Sequence, residues 1–573
     1  MIPFSQSIIL AFSFINMKML YDRFAPLLLL FTRVSDASSL KWGPCDLDLA
    51  EDAQRLIKAG DCATIEVPLD YTDPKSEKTV ELQLIRYNAT KEPFKGSVLW
   101  NPGGPGISGI ETLAYLGQDF RDILGGHHNI ISFDPRGIDP LPQADLWEYV
   151  KNEAWQSMQA VAEACYESQQ ENGRFLSTAF TARDMMRIVD ALGEDGKLQF
   201  WGISYGTILG QVAASMFPDR IERLLLDSNS LADAYFTSTG IGGPKDAEKS
   251  LVHLFKECVE LGTDVCKLAN YSGSKTTVED LRDATVDLFQ NLKNMKDLPD
   301  GLSAKDYPYA GNSILKDLKN GIMNLLQSPF SYSTVVDLLS YAFEGDYKKA
   351  LSLYKEGSSE WNLGKNSFQG IACSETSFRV KTPEDLYPLY QAHLAESTFG
   401  DAIAADYMAC GAWKLDAAEG VDTNTLRNVN TSFPVMVVNN AYDPITSLSH
   451  AYQVASRFRD SRVLVNEGVG HGATSHSSPC LLDAISSYFI DGTLPEVGAK
   501  CIPEKGAFEL NLLKAFHNNI GFYSVWFVSE RKSKRVHRQH RATGGVSEKR
   551  LAGLPSPTEP LPLQTGILPQ AGD

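Results

Sequence analysis

The sequence predicts an α/β protein in which a mostly parallel sheet is covered by helices and interrupted by a large helical insertion. Three observations lead there. Strand-like and helix-like runs alternate before residue 231 and again after residue 430. The stretch between them reads as amphipathic helix with few strand signals. A serine framed by glycines stands where one strand passes into a helix. The intervening segment runs to roughly 200 residues, too long for a structureless loop, so it is expected to fold as a cap.

The strand language begins with "ATIEVPLDY", "TVELQLIRY", "SVLWN" and "NIISFD", the last two each ending at a glycine-rich or Pro-containing turn. In "TARDMMRIVDALG", Met185, Ile188, Val189 and Leu192 fall on one helical face ahead of a glycine stop. "LQFWGIS" then reads as strand, "YGTILGQVAASMFP" as helix and "RIERLLLDS" as strand. Amphipathic runs follow, among them "AEKSLVHLFKECVEL", "VEDLRDATVDLFQNL" and "PEDLYPLYQAHLAE". Strand and turn signals return with "FPVMVVNNAYDP", and "SLSHAYQVASRF", "SRVLVNEG" and "CLLDAISSYFI" complete a second alternation. The implied division is a signal peptide over 1–37, sheet domain over 38–230, helical cap over 231–430 and the rest of the sheet domain over 431–510. Residues 511–573 are basic and then Pro-rich, without periodicity, and are expected to be a disordered tail.

Charge and cysteine usage narrow the function classes. With 53 basic and 71 acidic residues the net charge is −18, which excludes a general nucleic-acid binder, since phosphate contacts need a basic surface. Near the N-terminus, "APLLLLF" follows Lys18 and Arg23 and precedes the small residues around Ala37 and Ser38. That order is the pattern of a secretory signal. The run is far shorter than the ~20 residues of a spanning helix, so no stable membrane association is expected. The nine cysteines show no zinc-type spacing. Pairing by proximity joins Cys45 to Cys62, Cys258 to Cys266, Cys373 to Cys410 and Cys480 to Cys501, and leaves Cys165 over. Asn88, Asn270 and Asn430 open N-x-S/T sequons. All three features suit a secreted protein in an oxidising compartment.

The run "WGISYGT" carries the chemistry. A serine hydroxyl is a poor nucleophile and needs a base within reach and a carboxylate to orient that base. On the α/β-hydrolase template these follow in the order Ser, Asp or Glu, His, each at the carboxyl end of a strand. Ser204 follows "LQFWGI" and precedes a helix, and Gly202 and Gly206 let the turn pass close to its neighbours. His471 stands between glycines directly after the last strand, whereas His476 lies deeper in a polar loop and His450 within a helix. Two acids compete: Asp443, closing "FPVMVVNNAY" ahead of Pro444 and Thr446, and Asp227, closing the strand after the nucleophile helix. Asp443 is favoured because its turn would hold the carboxylate outward. The oxyanion needs two backbone N–H groups; Tyr205 and, in the loop "NPGGPGISG", Gly104 are the candidates.

"NPGGPG", "FDPRG", "WGISYGT", "DPIT" and "GHG" resemble the secreted tripeptidyl-aminopeptidase-like serine hydrolases, relatives of the prolyl iminopeptidases. The similarity, with "CATIEVPLDY" and "CGAWK", runs from about Trp42 to Cys501. The resemblance implies an α/β-hydrolase fold with a helical cap and a TAP-like C-terminal part, secretion, no cofactor or metal, and release of short peptides from free N-termini. Carried over, it gives Ser204 as nucleophile, Asp443 as acid, His471 as base, and Gly104 with Tyr205 as oxyanion donors. Two departures bear on substrate choice: "LDSNS" has Ser228 where glycine is usual, and "IACSE" has Glu375 where aspartate is common.

The expected activity is therefore a serine exopeptidase acting on small peptides. An esterase, lactonase or thioester hydrolase acting on a small molecule is the alternative, because one fold hosts many chemistries. A non-catalytic binding scaffold would call for a broken triad, and every part is present. An aminopeptidase also needs a cap carboxylate to pair with the substrate ammonium, and Glu375 is one of several candidates.

Overall fold

A computed structural model describes residues 40–510, apart from 46–56, 70, 74–75, 77, 104–108, 134–146, 148–150, 152–154, 356–363 and 401–407. The expected signal segment, the basic tail, Gly104 and most of "FDPRG" lie outside the described residues.

Among the described residues the strand-like runs join one ten-stranded sheet. Its strands are β1 (Gly43–Pro44), β2 (Asp61–Pro68), β3 (Thr79–Tyr87), β4 (Ser97–Asn101), β5 (Asn129–Phe133), β6 (Leu198–Ser204), β7 (Ile221–Asn229), β8 (Met436–Tyr442), β9 (Arg462–Val469) and β10 (Lys500–Cys501). They lie side by side in the order β1-β2-β3-β5-β4-β6-β7-β8-β9-β10. From β5 to β10 every pairing is parallel, while β1, β2 and β3 form an antiparallel edge. Residue chemistry tracks that division. In β2, Ile65 and Val67 are buried and Glu66 between them is exposed, the alternation of a sheet wet on one face. "SVLWN" of β4 is buried throughout, as befits an interior parallel strand covered on both faces.

The helices nearest the site are α1 (Gly109–Ile123), α2 (Trp155–Gln169), α3 (Thr178–Leu192) and α4 (Tyr205–Met216). Helix α3 starts where the Ser177 hydroxyl accepts the Phe180 N–H, and ends at Gly193, whose φ of 67° is the left-handed stop. Met185, Ile188 and Val189 are its buried face, packed on the sheet with Leu209 and Val212 of α4.

Between β7 and β8 the described residues form no strand of the sheet. The chain instead runs through α5 (Ala232–Phe236), α6 (Ala247–Leu261), α7 (Val278–Asn294), α8 (Gly311–Leu326), α9 (Tyr332–Phe343), α10 (Tyr347–Lys355), α11 (Gly364–Glu375) and α12 (Tyr387–Glu396). Helix α7 opens on a reciprocal cap between Thr277 and Asp280. Leu254, Phe255, Leu318, Ile322 and Leu339 build a hydrophobic core of their own, into which Val469 at the end of β9 also packs. This is the physical basis of the helical-insertion reading: the amphipathic faces bury against one another. After β8 come α13 (Leu448–Ala455) and α14 (Pro479–Asp491).

Disulfides join Cys45 to Cys62, Cys258 to Cys266, Cys373 to Cys410 and Cys480 to Cys501, and Cys165 is free. Asn88, Asn270 and Asn430 are all exposed. Among the described residues no helix is long and apolar enough to cross a membrane.

Candidate active site

Parallel strands place their carboxyl ends along one edge of the sheet, and four neighbouring strands there deliver the residues singled out in the sequence. Ser204 closes β6, Asp227 lies near the end of β7, Asp443 follows β8 and His471 follows β9.

Ser204 has φ 57° and ψ −122°, a conformation costly for a residue with a Cβ. A sharp strand-to-helix turn imposes it, and the same turn lifts the side chain off the sheet. The flanking glycines are required by contact. A Cβ on Gly202 would fall 2.2 Å from the Gly206 carbonyl oxygen, and one on Gly206 would fall 2.9 Å from Asn101 Oδ1. Gly103, at φ 103°, abuts the elbow: a Cβ there would sit 2.7 Å from Ser204 Cβ and 3.3 Å from the Tyr205 nitrogen. The glycine loop thus reaches the backbone N–H that follows the serine. Gly104, the second expected donor, lies outside the described residues.

Asp443 is fully buried, and its carboxylate is built into a turn. Oδ1 accepts the N–H groups of Ile445 and Thr446, both at 2.9 Å. Oδ2 accepts the Thr446 hydroxyl at 2.8 Å and faces His471 Nδ1 at 3.0 Å. Burial pushes this carboxyl up, but the adjacent imidazole and the N–H donors outweigh it and hold it below the ordinary value. His471 shows the converse balance. Burial lowers it, and the charge and hydrogen bond of Asp443, with Asp227 beyond, raise it above the ordinary histidine value. An imidazole whose Nδ1 faces a buried carboxylate presents Nε2 as a base.

Asp227 does different work. Its Oδ1 accepts the Ala473 N–H at 2.8 Å and its Oδ2 the indole N–H of Trp201 at 3.4 Å. Burial raises its carboxyl to about 6, with Asp443 adding to the rise. It braces the loop after His471 rather than the imidazole. Ser228 helps: its hydroxyl accepts the Gly472 N–H at 2.7 Å. Ser228 sits at φ 54°, which favours glycine, so the "LDSNS" departure exchanges backbone ease for a bond to the histidine loop. A Cβ on Gly472 would lie 3.9 Å from Ile203 Cγ2, so this loop reaches the residue just before Ser204.

The two histidines weighed beside His471 have structural partners or surroundings. His476 is buried; its Nδ1 accepts the Val469 N–H at 3.1 Å and its Nε2 faces the Lys505 carbonyl at 2.7 Å. His450 is buried in α13, and burial pulls it down to about 4.

Two contributors escaped the sequence reading, and a third, Thr446, was read only as part of the Asp443 turn. Thr446 stands 3.3 Å from His471 Nδ1 as well as on Asp443; its only signal was a hydroxyl three residues past an aspartate, the mark of a side-chain turn. Asn440 donates to the carbonyls of Val469, Gly470 and Gly472. The backbone carbonyl of Gln327, just past α8, accepts the His471 N–H at 2.9 Å, a contact between remote segments with no local signature. Because Thr446 donates to a buried charge, Thr446→Val is expected to lower kcat on the order of tenfold with the fold intact, checked by steady-state kinetics beside a thermal melt.

The alpha/beta hydrolase fold family model matches residues 96–242, and the TAP-like protein model matches residues 395–501. The chain is similar to serine protease Hip1 of Mycobacterium tuberculosis, 27% identical over 81% of this chain and 91% of that protein. It is also similar to a tripeptidyl aminopeptidase of Streptomyces lividans, 23% identical over 81% of this chain and 87% of that one. Carboxylesterase B of Mycobacterium tuberculosis is 24% identical over 82% of this chain and 91% of its own length.

Proposed function

We infer that the chain, a serine hydrolase, belongs with the TAP-like α/β hydrolases it matches, and on that premise propose a secreted peptidase that releases short peptides from free N-termini through an acyl-enzyme on Ser204. One observation carries the reading: His471 Nδ1 lies 3.0 Å from the buried Asp443 carboxylate, on strand ends next to the strained Ser204 elbow. His471 Nε2 takes the Ser204 proton as the hydroxyl attacks the scissile carbonyl. The oxyanion develops against the Tyr205 N–H, with Gly104 as the second donor. The protonated imidazole gives its proton to the leaving amine, and water then hydrolyses the acyl-enzyme by the same route in reverse. Asp443 stays charged throughout and stabilises the imidazolium.

Peptide substrates are favoured by the relatives named as a serine protease and a tripeptidyl aminopeptidase. The relative named as a carboxylesterase supports an ester-cleaving alternative. Turnover of tripeptidyl-arylamides against aryl esters separates the two: amide release with the free amine is expected, and turnover of esters alone contradicts the peptidase reading. Four disulfides and three exposed sequon asparagines support a secretory destination.

A further inference from the structure

Glu375, the last residue of α11 in the insertion, reaches back to the start of α3, beside the nucleophile helix α4. Its Oε2 accepts the backbone N–H of Thr178, at the start of α3, at 2.6 Å. Its Oε1 accepts the Thr178 hydroxyl at 2.7 Å and the Tyr235 hydroxyl at 2.8 Å. The Thr178 oxygen in turn lies 2.7 Å from the hydroxyl of Tyr205, the residue directly after Ser204. Since the Thr178 proton goes to the carboxylate, Tyr205 donates to Thr178, and every donor in the cluster points toward Glu375. The rings of Tyr205 and Tyr235 pack beside it at a tilt of 49°, with centroids 5.5 Å apart.

The far end of this arrangement is fixed. Two residues before Glu375, Cys373 is bonded to Cys410. Ser374 accepts the Trp413 indole N–H at 3.0 Å, and Arg379 donates to the Cys373 carbonyl at 3.0 Å. "CGAWK", a motif with no part in the triad, therefore anchors the helix end that carries Glu375.

We propose that Glu375 is a positioning residue: through Thr178 it clamps the Tyr205 side chain, and so sets the Tyr205 N–H where the oxyanion forms. This rests on Ser204 being the nucleophile. It also gives Glu375 a role other than pairing with a substrate ammonium, since both of its oxygens are already engaged. A positioning role depends on hydrogen bonds and shape. Glutamine can supply both: its carbonyl accepts the Thr178 N–H and its amide donates to the two hydroxyls. An ammonium-pairing role depends on charge, which glutamine lacks.

The test compares kcat and KM of Glu375→Ala, Glu375→Gln and Thr178→Val on a free-amine peptide arylamide and an uncharged aryl ester, together with the rate of Ser204 labelling by a fluorophosphonate. Glu375→Ala is expected to lower kcat about ten- to a hundredfold on both substrates at little changed KM, and to slow labelling in parallel. Glu375→Gln should recover to within about threefold of the parent. Thr178→Val removes the hydroxyl that joins Glu375 to Tyr205 while leaving the backbone N–H bond from residue 178 to Glu375 in place, and is expected to lower kcat about tenfold, which keeps the test open should Glu375→Ala fail to fold. The proposal is overturned if Glu375→Ala or Thr178→Val folds and labels at the parent rate. It is equally overturned if Glu375→Gln raises KM for the free-amine substrate alone. Absence of labelling in the parent protein would instead remove the nucleophile assignment beneath it.

Discussion

Ser204→Ala is expected to lower kcat by about a millionfold, with no loss of thermal stability. The size follows from the cooperation of the triad: without a nucleophile, the base and the acid have nothing to activate, and only binding and the oxyanion donors remain. The unchanged fold follows from local contacts. Ser204 makes no side-chain cap to α4, and the turn is held instead by the approach of Gly202, Gly206 and Asn101. Alanine keeps the Cβ, so the strain at φ 57° is neither relieved nor increased. Steady-state kinetics on the better substrate, with a melt on the same preparation, checks both halves. Residual turnover within a hundredfold of the parent would exclude Ser204 as the nucleophile.

Asp443→Asn against Asp227→Asn carries the second large effect, because the two carboxylates stand at adjacent strand ends and only one faces the imidazole. Asn at 443 can present an N–H to His471 Nδ1, which forces the proton onto Nε2 and removes the base; a fall of about 10⁴ in kcat is expected. Asn at 227 can still accept from Ala473, so the loop after His471 keeps its brace and a loss below about tenfold is expected. Equal losses at the two sites, or a larger one at 227, would reverse the assignment of the acid.

Much of this was legible in the sequence, for identifiable reasons. The interior strands were visible because burial on both faces leaves near-continuous apolar runs, as in "SVLWN" and "LQFWGI", and the insertion because its helices are amphipathic. The elbow showed itself because only glycine fits at 202 and 206. Asp443 could be preferred over Asp227 because a carboxylate followed by Pro444 and Thr446 makes its own turn, and that turn is what Ile445 and Thr446 build. What stayed hidden depends on contacts between distant segments. Nothing around Gln327 announces that its carbonyl meets His471, and nothing in "LDSNS" tells that Ser228 binds the same loop. Glu375 was visible as a carboxylate near the site, but its partners Thr178 and Tyr235 come from different helices, so its use could not be read locally.

The account rests on one side chain being the attacking group, and covalent labelling reads that directly. The protein is treated with a fluorophosphonate, digested, and the modified residue located by mass spectrometry, with Asp443→Asn run alongside. A single adduct on Ser204, formed far more slowly in Asp443→Asn, is the expected result. An adduct on another residue, or substrate turnover that persists in protein fully modified at Ser204, would contradict it.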